Sequence, residues 1–287
     1  MELKRHLVQL TLIVSSAVAH LASAATLSEP GIFVNGDGSQ HFRKCSTCPD
    51  EPFLDSDEKG GNNVGSAETT GAANNSFSWL AAGTLVGPNA LPVLKARAEA
   101  QNPSIADPSL GIGTVSAVAT ARGLQGYHYS GTEAGTYTIT FTVDGLLDGD
   151  DESIEAGVSA LSSELVFSSD GGLQRRGLAS ARLSKTASSG NGSFVDGRSI
   201  TFSIGANADF FVSAFLIADA LFVDAVSVTG VADASHTMTA SFTAGDVSLL
   251  TPVPELSTCG MMLIGLGLLG CAGWRRTSSS GGRGCSC

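Results

Sequence analysis

The feature that most constrains this chain is a strict alternation of polar and apolar residues from Gly135 to Val143. A period of two places the two kinds of side chain on opposite faces of a strand. Threonine and aromatic residues both favour strands, and Asp144-Gly145 is a turn signal. The segment therefore predicts an antiparallel strand with one buried face. Its apolar positions are Tyr137, Ile139, Phe141 and Val143, and its polar positions are Thr136, Thr138, Thr140 and Thr142.

Further short segments with strand character follow one another along the chain. They cover residues 94–100, 114–120, 158–167, 173–183, 199–204, 209–217, 220–229 and 235–242. Residues 94–100 also contain good helix formers, so a helix competes there, but the alternation favours a strand. Turn signals separate several segments, at Asp170-Gly171-Gly172, Asn191-Gly192 and Asp196-Gly197.

This succession of segments predicts an all-β fold, an antiparallel β-sandwich with a jelly-roll-like strand order. An immunoglobulin-like order is the alternative. We expect the sandwich domain over residues 79–252. Residues 25–78 are rich in Gly, Asn, Ser and Asp, so we expect a loop-rich N-terminal segment. Within it, Leu27 and residues 32–34 predict one short edge strand.

The first 24 residues have the composition of a secretory signal peptide. Lys4 and Arg5 precede an apolar run over residues 7–22, and Ala22-Ser23-Ala24 forms a cleavage site of small residues. This pattern predicts export through the Sec machinery, with residues 1–24 removed.

A second apolar run, from Leu256 to Trp274, contains no charged residue. A helix of this length rises roughly 28 Å, close to the thickness of a hydrocarbon core. Trp274 suits the interface, and Arg275-Arg276 places the following residues 277–287 in the cytoplasm as a short tail. The segment therefore predicts one C-terminal transmembrane helix, and a buried core helix is the alternative.

The residues around this run resemble the PEP-CTERM sorting signal of Gram-negative exopolysaccharide producers, which is also catalogued as an ice-binding protein C-terminal domain. The resemblance covers residues 253–276, and it departs from the usual pattern at Leu256 and Cys259. It implies recognition by an exosortase, a membrane processing enzyme, after a single-pass stage in the inner membrane. It then implies delivery to the envelope, cell surface or extracellular matrix. The motif residues are Val253, Pro254, Glu255, Leu256, Ser257, Thr258, Arg275 and Arg276.

The exported part, residues 25–255, carries 11 basic and 26 acidic residues, a net charge of about −15. Such a surface repels nucleic acids and anionic membranes. No basic patch or arginine-rich helix is visible in the sequence, so nucleic-acid binding is not expected.

Catalytic motifs are absent from the sequence: it contains no G-x-S-x-G elbow, no H-E-x-x-H and no P-loop. Cys45 and Cys48 predict a local disulfide in an oxidising compartment, or free thiols, and a zinc site formed by His41, Cys45, Cys48 and Asp50 is a weaker alternative. One loop concentrates carboxylates, which predicts either a calcium site or a solvated turn. A glycosidase pair of carboxylates is a further alternative. The acidic residues are Asp144, Asp148, Asp150, Asp151 and Glu152.

The threonine row of residues 136–142 also suggests ice binding, but a flat array needs several matching strands. The sequence offers only a partial echo, at Thr237, Thr239, Ser241 and Thr243, and no repeat of fixed period. Ice binding is therefore not expected.

Together these features predict a non-enzymatic exported surface or matrix protein without a cofactor, apart from the calcium alternative. It would associate with polysaccharide, using Trp79, Tyr127 or Tyr129 to stack on sugars. A secreted glycan-active hydrolase and a calcium-dependent adhesion module are the alternative functions.

Overall fold

The computed structural model describes residues 27, 29–42, 51–62, 64–73, 76–85, 91–101, 113–167, 172–223 and 229–252. Strands dominate this part of the chain, with short 3-10 helices at Ala187–Ser189 and Val247–Leu249. The strands are β1 (Gly31–Phe42), β2 (Glu51–Asn62), β3 (Ser66–Ala73), β4 (Phe77–Leu85), β5 (Pro92–Gln101), β6 (Gly113–Tyr129), β7 (Gly135–Asp148), β8 (Ser153–Phe167), β9 (Leu173–Thr186), β10 (Gly192–Ile204), β11 (Ala208–Val223), β12 (Thr229–Ala244) and β13 (Leu250–Pro252).

These strands form two antiparallel sheets. Sheet A has seven strands in the order β2-β1-β6-β11-β8-β9, with β13 paired to β6, and sheet B has six in the order β10-β7-β12-β5-β4-β3. The inner faces of both sheets contribute to one hydrophobic core. The predicted antiparallel sandwich is therefore confirmed.

The chain winds between the sheets in a regular way from β5 to β12. It changes sheet at each connection except the one between β8 and β9, which are neighbours in sheet A. The resulting orders, β6-β11-β8-β9 and β5-β12-β7-β10, are those of an eight-stranded jelly roll. Strands β1 to β4 extend this unit, two in each sheet.

The N-terminal segment differs from the expected loop with one edge strand. Strands β1, β2 and β3 occupy much of residues 31–73, and β1 lies inside sheet A between β2 and β6. Gly36 and Gly38 explain why β1 is hard to recognise. A Cβ on Gly36 would overlap the ring of Trp79, and one on Gly38 would overlap Phe77. The apolar groups that fill these places come from β4, not from β1.

Other local predictions are confirmed or extended. Residues 94–100 lie in strand β5, with alternate residues buried from Leu94 to Ala100. Strand β11 runs unbroken from 208 to 223. The strand predicted at 209–217 and the first part of the strand predicted at 220–229, up to Val223, therefore form one strand. Asp196-Gly197 lies within β10, whereas Asn191-Gly192 does mark a strand start.

The Asp144-Gly145 turn is a further correction, because β7 continues through both residues to Asp148. Gly145 is buried, and a Cβ there would lie 2.8 Å from Cζ of Phe194. The glycine therefore makes room for the Phe194 ring from β10 rather than turning the chain.

No helix of the described ranges has the length and apolar character needed to cross a membrane. The predicted transmembrane helix, residues 256–274, lies outside those ranges, as do the predicted signal peptide and the tail.

Candidate functional site

Two groups of sequence-predicted site residues fall outside the described residues: the sorting motif at 253–258 and 275–276, and the cysteines Cys45 and Cys48. His41 lies in strand β1, four positions before Cys45.

The acidic residues expected to bind calcium are not brought together. Asp144 and Asp148 are exposed in β7, Asp150 and Asp151 are exposed in the following loop, and Glu152 is buried with 1% exposure. In the described part of the chain, no group of three or more His, Cys, Asp or Glu residues could hold a metal ion.

Glu152 is the unusual member of this loop. Its carboxylate lies against Gly149 and Gly230, where a Cβ on either glycine would overlap it, and its Oε2 atom has no hydrogen-bond partner among the described residues. Burial, with the nearby charges of Asp151 and Asp150, raises the pKa of Glu152 to about 7. The carboxyl group of Glu152 is therefore enclosed by the protein, unlike those of Asp150 and Asp151.

The aromatic residues expected to stack on sugars are buried, which is a correction. Trp79 is 3% exposed, Tyr127 0% and Tyr129 5%. Each occupies an inward position of its strand, and Gly36 and Gly71 leave space for the Trp79 indole, since a Cβ on either would overlap it. These rings therefore belong to the core rather than to a sugar-binding platform.

The outer face of sheet B instead presents a continuous array of hydroxyl groups, here called the hydroxyl face. It crosses three neighbouring strands, β10, β7 and β12. Its members on β10 and β12 are exposed, and most of those on β7 are half-buried between them. The residues are Ser199, Thr201 and Ser203 on β10, Thr136, Thr138, Thr140 and Thr142 on β7, and Thr239, Ser241 and Thr243 on β12.

Hydrogen bonds between strands order these side chains. Thr140 Oγ1 lies 2.8 Å from Ser199 Oγ and 3.0 Å from Thr243 Oγ1, so it connects all three strands. Thr138 Oγ1 lies 2.9 Å from Thr201 Oγ1. Each hydroxyl retains further donor or acceptor capacity towards solvent.

Aromatic residues support this face from within the sandwich. Tyr137, Phe202 and Phe242 alternate with members of the hydroxyl face along their strands and point the other way. The ring centroid of Tyr137 is 5.9 Å from that of Phe242 and 6.3 Å from that of Phe202. Close packing beneath the face fixes the backbone that carries the hydroxyls.

The sequence revealed one row of this array, on β7, and a partial echo of it on β12. The rows of β10 and β12 could not be joined to it, because the pairing of Thr140 with both Ser199 and Ser241 depends on strand order. The only sequence signal was the alternation of hydroxyl and apolar residues over 199–204 and 238–243.

Comparisons with known proteins do not identify a family for this chain. No family model matches the chain, and no curated protein matches it. Among solved structures, the N-terminal CBM22-1-CBM22-2 tandem domain of Xyn10C from Paenibacillus barcinonensis is similar at 8% identity and a TM-score of 0.18. That alignment covers 76% of this chain and 80% of the other. So low a TM-score carries no inference about this chain.

Proposed function

We propose that this protein is a non-enzymatic exported surface or matrix protein that contacts polysaccharide through the hydroxyl face. The observation that carries the proposal is the alignment of serine and threonine side chains over three adjacent strands, without a charged residue among them. Polysaccharides also present rows of hydroxyl groups, which can exchange hydrogen bonds with such an array.

The physical character of the face fits weak, extended contact rather than tight binding in a pocket. Hydrogen bonds to sugar hydroxyls replace bonds to water, so each contributes little net free energy. A polymer that repeats along the face gains affinity by making many such contacts at once. The interstrand hydrogen bonds reduce the ordering cost, because the side chains are already held in place.

Export is the second element of the proposal. It rests on the signal-peptide pattern of residues 1–24 and on the resemblance of residues 253–276 to an exosortase-processed sorting signal. The domain is strongly acidic, which suits a soluble molecule in the envelope or matrix.

A single substitution tests the hydroxyl face. Ser241 is exposed and lies opposite Thr140 in register, so Ser241→Arg places a long charged side chain in the middle of the array. We expect affinity for the producing cell's own polysaccharide, and for neutral dextran, to fall at least about fivefold. Affinity electrophoresis of the full chain measures this.

The matched control is Thr70→Arg, on the same outer face of sheet B but in β3, four strands away from β7. It adds the same side chain and should retain wild-type affinity. An equal loss of affinity in the two variants would contradict the proposal. So would the absence of any retardation of the wild-type chain by the polysaccharides at any ionic strength.

Ice binding is a second candidate function, because the hydroxyl face has the several matching strands that a flat array requires and that the sequence did not reveal. Three neighbouring strands, spaced about 4.8 Å apart, carry matching rows where only one row and a partial echo were visible. Ordered, uncharged hydroxyls at a regular spacing can match a lattice of water molecules. The growth rate of ice crystals in the presence of wild-type chain, Ser241→Arg and Thr70→Arg measures this. No inhibition by the wild-type chain removes the candidate.

A further inference from the structure

The outer face of sheet A carries a group of arginines on aromatic rings. In register across the sheet, Arg122 of β6 lies opposite Phe215 of β11, Phe215 opposite Gly157 of β8, and Gly157 opposite Arg182 of β9. These four residues therefore form one row on one face. Gly157 leaves space for the Phe215 ring, because a Cβ at this position would lie 2.5 Å from Cε1 of Phe215.

Two guanidinium groups on this face stack on phenylalanine rings. The Cζ atom of Arg182 lies 5.0 Å from the centroid of the Phe215 ring, and that of Arg175 lies 3.5 Å from the centroid of the Phe211 ring. The side chain of Arg182 is exposed, and the N–H edge of a stacked guanidinium group matches a carboxylate in bidentate geometry.

Arg122 is the least satisfied cation of the group. Its Nε atom is buried and has no hydrogen-bond partner in the part of the chain that the structure describes. Burial and the neighbouring charge of Arg182 lower the pKa of Arg122. Like charges on one partly desolvated face repel, so an anion bound near both arginines relieves an existing cost.

Acidic neighbours compensate only part of this charge. Glu155 Oε2 lies 3.9 Å from an Arg182 nitrogen, at a contact where both side chains are exposed. Such exposed pairs contribute little and exchange readily with other anions. The row is therefore a local concentration of positive charge on a chain whose net charge is −11.

We propose that this surface, centred on Arg122 and Arg182, binds the carboxylates of an acidic, uronate-containing polysaccharide. The proposal rests on the proposed association with polysaccharide and names a second site and ligand class for it. Charge complementarity supports an acidic ligand, because planar guanidinium groups form paired hydrogen bonds with carboxylates. An extended polymer also suits a row that crosses four strands of a sheet.

The test compares two forms of one polymer, polygalacturonate and its methyl-esterified form, which share a backbone and differ in charge. We expect the full chain, in the presence of a chelator, to bind polygalacturonate and to bind the ester at least about tenfold more weakly. Both Arg122→Gln and Arg182→Gln should weaken binding to polygalacturonate by a similar factor. High salt should weaken it as well, because the site is partly exposed.

Arg198→Gln is the control, because it removes one positive charge from sheet B, where Arg198 pairs with Asp196. It should retain wild-type binding. Arg182 is exposed on the edge strand β9, so its variant reports on binding even where Arg122→Gln alters folding, which melting temperatures will reveal. Equal binding to the two polymers, or equal loss in all three variants, would overturn the proposal. Neither result affects the comparison of Ser241→Arg with wild type on neutral dextran. The proposal for the hydroxyl face and the proposal for the arginine row can therefore be contradicted independently.

Discussion

Replacing Gly36 with alanine is expected to lower the free energy of unfolding by about 3 kcal/mol, at the upper end for an overpacked core. The added Cβ would overlap the six-membered ring of the Trp79 indole. Trp79 is 3% exposed and also packs closely on Gly71, so a shift of the ring would disturb other core contacts. Chemical denaturation of the purified full chain, monitored by circular dichroism, measures the change.

Gly65→Ala is the matched control for this experiment. No described residue lies within 4 Å of a Cβ at Gly65, so this variant should be neutral or slightly stabilising. A Gly36→Ala variant as stable as the Gly65→Ala variant would contradict the packing of β1 against β4. It would show instead that the N-terminal segment is dispensable for the sandwich.

Replacing Glu152 with glutamine is expected to stabilise the protein by about 2–3 kcal/mol at pH 8 to 9. Burial raises the pKa of Glu152 to about 7 in the folded state. The folded state therefore binds this proton more tightly than the unfolded state does. Glu152 accordingly destabilises the wild-type fold progressively as the pH rises from below its unfolded pKa through 7.

Glutamine keeps the size of the side chain and removes the charge, so the difference between the two proteins should vanish near pH 4. Melting temperatures of both proteins from pH 4 to 9 measure this, and comparison at each pH cancels the other carboxylates. Glu68→Gln, at an exposed position of β3, removes one carboxylate from the surface and is the matched control. A constant difference between Glu152→Gln and wild type at all pH values would contradict the raised pKa.

The sandwich could be predicted because much of its core is encoded by alternation within single strands. Residues 135–143 and 94–100 show this directly, and both segments are strands with one buried face. Strand β1 could not be predicted, since its inward positions 36 and 38 are glycines that receive rings from another strand. The buried alternation is carried by Phe77, Trp79 and Ala81 of β4, so β1 itself shows no periodic signal at these positions.

The candidate surfaces were less accessible to sequence reasoning than the fold. The threonine row on β7 was visible, but its partners lie about 60 and 100 residues away, and only the sheet order unites them. Arg122 and Arg182 are likewise joined only by the register of four strands. Conversely, the acidic loop looked like one cluster in sequence, yet the chain turns Glu152 inward and leaves Asp150 and Asp151 outside.

The measurement that tests the account most directly is the mass of the mature protein recovered from each cellular compartment. We expect the chain outside the cytoplasm, without its first 24 residues and with a new C-terminus near the box at residues 253–258. A matched chain without residues 253–276 should be exported but released rather than retained at the envelope. Recovery of the intact polypeptide of 287 residues in the cytoplasm, with its first 24 residues attached, would contradict the account.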